Sequence, residues 1–102
     1  MREIRILPAV LQDISGATAW YDDDGCSGLG DRFVATFYSY LPEIQENGGS
    51  YRRAYLDFHK VLLRPFPYSV FYRLHEDIWI VTLVIHAARR PSLARRILRE
   101  RK

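Results

Sequence analysis

Apolar positions along this chain first repeat every three to four residues and then every second residue, and that change divides it into helices and strands. Residues 2–7 alternate charged and apolar side chains loosely and stop at Pro8, which predicts a short first strand. Pro8 suits the first turn of a helix, where its missing N–H is no loss. Val10, Leu11, Ile14, Ala17, Thr18 and Tyr21 then form one helical face, with Trp20 beside it. Asp22-Asp23-Asp24-Gly25 predicts the stop, because carboxylates oppose the negative end of the helix dipole and glycine breaks the turn. A second helix is expected from an N-cap at Asp31, with Phe33, Phe37, Tyr40, Leu41 and Ile44 as its stripe, widened by Val34 and Tyr38. Pro42 is expected to kink its last turn, and Gly48-Gly49 ends it. Two helices joined by so short a link predict an antiparallel hairpin.

From Arg52 onward the period becomes extended. Residues 53–57 and 59–64 read as short strands, Pro65 and Pro67 mark a turn or an edge, and 68–74 is a strand dense in aromatics. His75-Glu76-Asp77 reads as a tight turn, leading to a strand over 78–86. The continuous run Ile78-Trp79-Ile80-Val81-Thr82-Leu83-Val84-Ile85 predicts a central strand covered on both faces. Pro91 closes the sheet, and Leu93, Ile97 and Leu98 predict a short C-terminal helix. The order predicts an α+β two-layer sandwich: an N-terminal strand, then a helical hairpin packed on a mostly antiparallel sheet.

With 102 residues, 48% of them hydrophobic, the chain suits a single domain over 1–102 with a core of its own, and global disorder is excluded. Cys26 stands alone, so a reducing cytoplasm is the expected setting; the opening Met1-Arg2-Glu3-Ile4-Arg5 has no signal-peptide character. No apolar run approaches membrane-spanning length, so no membrane partner is expected. Charge changes the picture more. Residues 87–102 hold seven basic side chains and one acid, Glu100, a net +6; the chain carries +3, so residues 1–86 carry −3. A basic end on a mildly acidic body points to a polyanion or an acidic protein as partner, against the plainer alternative of a solvated helix.

Several stretches together resemble the RelE/ParE superfamily of type II toxin–antitoxin toxins, a group that includes plasmid-stabilisation proteins. They are Tyr21, Gly28-Leu29-Gly30-Asp31-Arg32-Phe33, Arg52-Arg53-Ala54, the run from Leu63 to Arg73, and Val84-Ile85-His86-Ala87-Ala88-Arg89-Arg90-Pro91. The paired signals RPFPYSVFYR and HAARRP carry most of the specificity. The resemblance implies a small cytoplasmic toxin that inhibits growth and is neutralised by a co-encoded antitoxin. Some members of the superfamily cut mRNA in the ribosomal A site, and others poison DNA gyrase. It also implies that the sheet edge and the basic C-terminus receive the antitoxin or target, with Arg90, Arg95, Arg96 and Arg99 as contacts.

The nuclease members, by the same resemblance, are metal-independent and hold the scissile phosphate with arginines and lysines. Lys60, Arg64 and Arg89 match those positions, and His86 is placed to move protons, unless it merely ends its strand in a hydrogen bond. Ser69 stands where these enzymes often have arginine, Leu62 replaces a second lysine, and the C-terminal helix lacks tyrosine. These departures tilt the expectation toward a ParE-like gyrase inhibitor over an endoribonuclease. An inactive binding module of the same fold is a third alternative. His59 and His75 read as surface residues. The histidines and Cys26 show no metal-ligand spacing, and the triple aspartate lacks that of a calcium loop. Gly25-Cys26-Ser27-Gly28-Leu29-Gly30 superficially resembles a phosphate loop but has no lysine, so no cofactor is expected. Most of the aromatic residues, including Trp20, Phe33, Phe37, Tyr40 and Phe66, are expected in the core.

Overall fold

A computed structural model describes residues 1–23 and 28–102. Residues 24–27, which include Cys26 and the first half of the glycine-rich link, lie outside the described residues. The elements are β1 (Glu3–Ile6), α1 (Pro8–Asp23), α2 (Leu29–Ser39), α3 (Leu41–Asn47), a 3₁₀ turn (Gly48–Ser50), β2 (Arg53–Tyr55), β3 (Phe58–Leu62), β4 (Tyr68–His75), β5 (Ile78–His86) and α4 (Pro91–Arg101). The sheet order is β1-β5-β4-β3-β2; β1 runs parallel to β5 and every other pairing is antiparallel. No helix among the described residues is long and apolar enough to cross a membrane.

The α1–α2 hairpin covers one face of the sheet. Val10, Ile14, Ala17 and Tyr21 from α1 meet Phe33 and Phe37 from α2, Ile44 from α3, and Val61, Val70, Tyr72, Trp79, Val81 and Val84 from the strands. Tyr72 is fully buried and donates its hydroxyl hydrogen to the Gly48 carbonyl at 2.8 Å; burial pushes its phenol pKa far up. A side chain at Gly48 would put a Cβ 2.9 Å from the indole ring of Trp79, so this position needs a glycine.

The second face is covered by α4, whose Ala94 and Leu98 pack on Phe58, Phe71 and Leu83. The expected two-layer sandwich is therefore corrected to three layers. The hairpin already fills the first face, and the narrow apolar stripe of α4 finds its surface on the other. Alternation gives β5 a side on each face, and the register, which passes from Phe71↔Leu83 to Tyr72↔Val81, leaves Thr82 as a bulge that shifts the alternation by one residue. Before it, Trp79 and Val81 point to the hairpin; after it, Leu83 and Ile85 point to α4 and Val84 to the hairpin.

An ion pair ties the bulge to both layers. Arg101 donates to Asp13 at 2.7 and 3.0 Å and to the Thr82 carbonyl at 3.0 Å, while Asp13 accepts the Val84 amide at 3.1 Å. The two side chains are only 22% and 14% exposed. The hydrogen bonds to Asp13 hold the Arg101 pKa above its ordinary value despite partial burial. Nearby, Lys102 and Arg73 approach Asp57 at 3.3 and 3.7 Å. Burial alone would raise the Asp57 pKa, but the Lys102 hydrogen bond, a backbone hydrogen bond and the two cations outweigh it and leave the carboxyl below its usual value.

Other expectations also need correction. Gly28, at φ 85°, occupies the α2 N-cap, and Asp31 sits inside the first turn; Asp22 accepts the Gly30 amide at 3.2 Å instead. The second helix divides at Tyr40 rather than kinking, because Pro42 has no N–H to offer the Tyr38 carbonyl. Residues 53–57 form strand only through Tyr55, since Leu56 turns with φ 50°, and 59–64 becomes Phe58–Leu62. Trp20 is 60% exposed, outside the core it was expected to join. His59, read as a surface residue, is 8% exposed; it stacks on Tyr72, and its Nδ1–H donates to the Tyr51 carbonyl at 2.9 Å. His75 is exposed, as expected, but ends β4 instead of lying in the turn.

Candidate functional site

The α4 face is only half closed. Where α4 departs from the end of β5, a cleft of about 240 Å³ opens over the sheet. Its floor is Ser69 and Phe71 of β4 and Ile85 of β5; its walls bring Arg52, Tyr55, Lys60, His86, Arg89 and Arg95 together. These cations come from the approach to β2, from β3, from the β5–α4 loop and from α4, so only the folded chain assembles them. Among the described residues that line the cleft there is no carboxylate. Four cations facing one small volume repel one another until an anion enters, which makes the cleft a receptor for phosphate-like charge.

Each group is held by local geometry. Lys60 lies directly opposite Phe71 in the β3–β4 ladder, with Nζ 5.9 Å from the ring centroid, a cation–π distance that keeps the ammonium over the floor. His86 is the last residue of β5, and its ring meets Tyr68 edge-on with centroids 5.1 Å apart. Its Nδ1 accepts the Ala88 amide at 3.0 Å, so in the neutral ring the hydrogen sits on Nε2. The Arg89 amide bonds back to the His86 carbonyl at 3.0 Å, and the Ala87 amide to the Pro67 carbonyl at 2.8 Å. This turn sets Arg89 at the cleft mouth beside Tyr68, whose phenol is pushed up by burial and drawn partly back by the arginine's charge.

Of the residues expected to act together, Lys60, His86 and Arg89 share the cleft, and Arg95 joins them from α4. Arg64 does not: it is exposed on the turn after β3, at the same end of the sheet but outside the lining. Arg90 holds the α4 N-cap position and Arg96 is exposed, both outside the cleft. Arg99 is also outside, donating to the Tyr55 hydroxyl at 3.0 Å. Ser69, where an arginine was looked for, lies buried in the floor.

Sequence reasoning missed Arg52 and Tyr55 as members of the site. Arg52 stands in one of the motif fragments but on a short edge segment with no alternation to orient it. Tyr55 is aimed by a bulge: the β2–β3 register passes from Arg53↔His59 to Tyr55↔Phe58, so Ala54 is supernumerary. Ala54 and Tyr55 consequently both pack toward the α4 side, and no residue pattern signals that. Among the described residues no three His, Cys, Asp or Glu side chains gather to hold a metal.

No protein-family model matches the sequence, and no curated protein matches it. Among solved structures, the crystal structure of the isolated RelE toxin of E. coli superposes with a TM-score of 0.56 at 16% identity, over 98% of this chain and 99% of that one. At that identity the likeness speaks for architecture: this chain has a RelE/ParE-like toxin fold.

Proposed function

We propose that the protein is the toxin of a toxin–antitoxin pair and that its cleft engages the RNA backbone as a metal-independent endoribonuclease. The observation that carries this reading is the convergence of Arg52, Lys60, Arg89 and Arg95 on one cleft without an opposing carboxylate among the described lining residues. Preorganised cations of this kind stabilise the charge that builds on a phosphoryl group in its transition state. His86, with its neutral-state hydrogen on Nε2, is suited to donate to a phosphate or leaving oxygen rather than to abstract a proton. Arg64, at the same end of the sheet, is suited to a flanking phosphate.

One set of observations favours a second reading, a ParE-like gyrase inhibitor. Ser69 and Leu62 replace expected cations, α4 has no tyrosine, and Arg90 and Arg96 project from a solvent-facing ridge. An antitoxin partner follows from either reading.

Inducible expression in a bacterial host, with mRNA integrity and plasmid supercoiling followed in the same cells, separates them. The expected result is cleavage within translated codons, reduced about 10²- to 10³-fold by Arg89→Gln. Relaxed plasmids or trapped gyrase breaks with intact mRNA would establish the second reading. Absence of any growth effect would overturn both and leave a binding module.

A further inference from the structure

We infer that Tyr55 is the neutral hydrogen-bond donor of the cationic cleft, positioned by Arg99 to bind a phosphate oxygen alongside the four charged groups. The inference rests on the cleft being an anion site.

Three independent features of the fold converge on this tyrosine. The bulge at Ala54 turns it to the α4 side of the sheet, where it lines the cleft with Arg52 and Lys60. Its side chain packs against the buried cluster of Phe58, Phe71, Leu83, Ala94 and Leu98, which limits where the hydroxyl is delivered. Arg99, one helical turn after the cleft-lining Arg95, donates to the phenol oxygen at 3.0 Å. A guanidinium only donates, so this bond consumes a lone pair of the oxygen and leaves the O–H hydrogen directed elsewhere. Among the described residues no acceptor takes that hydrogen. A cleft furnished with cations alone attracts any anion; a directional neutral donor selects an acceptor oxygen in a defined place. Arg99 acts through Tyr55 and is a positioning residue.

The test measures binding of inorganic pyrophosphate and of a short single-stranded RNA to wild type, Tyr55→Phe and Arg89→Gln across a salt series. Tyr55→Phe keeps the packed ring and removes only the hydroxyl. The expected outcome is a loss of about tenfold in affinity at every salt concentration, the scale of one hydrogen bond to a charged group. The slope of log affinity against log salt should stay unchanged for that variant, whereas Arg89→Gln should flatten it by about one unit for the RNA. In protein labelled at tyrosine Cζ, the Tyr55 carbon resonance should move on pyrophosphate addition, and should not do so in Arg99→Leu. Unchanged affinity in Tyr55→Phe, with weakened binding in Arg89→Gln, would overturn the role of Tyr55 and leave the anion cleft standing. No binding by wild type would overturn the cleft itself.

Discussion

The two faces of the sheet are built on different principles. The hairpin face is closed by interlocking aromatic and aliphatic side chains: Phe33, Phe37, Ile44 and Tyr72 are fully buried there. The α4 face has a core of five buried residues, and polar links hold its helix in place: Arg101 to Asp13, Lys102 to Asp57, Arg99 to Tyr55. The first arrangement maximises apolar burial and gives stability. The second stops short of covering the sheet and leaves charged groups facing a cleft. The fold rests on one face so that the other can carry uncompensated charge.

This contrast can be broken most severely on the hairpin face. Phe33→Ala should cost about 3–5 kcal/mol, enough to unfold much of a marginal domain, as read by urea denaturation. Cutting the link between the faces comes next. Asp13→Ala strands Arg101 and the Val84 amide, and should cost about 2–3 kcal/mol, below the full penalty for a buried pair because both groups keep some exposure. Hydrogen exchange should then rise at the C-terminal end of α4.

A smaller effect is expected from acid. The Asp57 pKa is depressed in the fold, so its contribution is fully present above the ordinary value of 3.8 and is lost as pH falls through the lower folded value. Asp57→Asn should remove that part of the acid sensitivity, measured as the melting temperature across pH 2–5. The smallest effect should come from the cleft: Arg89→Gln should change stability by no more than about 0.5 kcal/mol in either direction. A large loss there would mean that the two faces share their stability after all.

Much of this architecture was legible in the sequence. The periodic stripes of α1 and α2 and the apolar run of β5 report burial directly, and the bounds Ile78–His86 were read from the run and its flanking turn. What stayed hidden depends on contacts between distant segments. Alternation assigns a strand residue to a face only while the register is unbroken, and the bulges at Ala54 and Thr82 break it without altering composition. His59 disappears under the 3₁₀ turn and Trp20 emerges at the end of α1 for the same reason: neither position follows from its neighbours alone. Lys60, His86 and Arg89 could be picked out by residue type and resemblance, but Arg52 and Tyr55 belong to the cleft only through the course of an edge strand.

Thr82 shows what such an irregularity controls. A strand is a two-letter address system, each residue sent to one side or the other, and the extra residue resets that address for all that follow. Were Thr82 drawn into the ladder instead of bulging from it, Ile85 would turn toward the hairpin and Val84 toward α4, exchanging the cargo of the two layers at the edge of the cleft. One residue thus decides which side chains of the strand enter which interior, and the chemistry at its end inherits its orientation from a position carrying no charge.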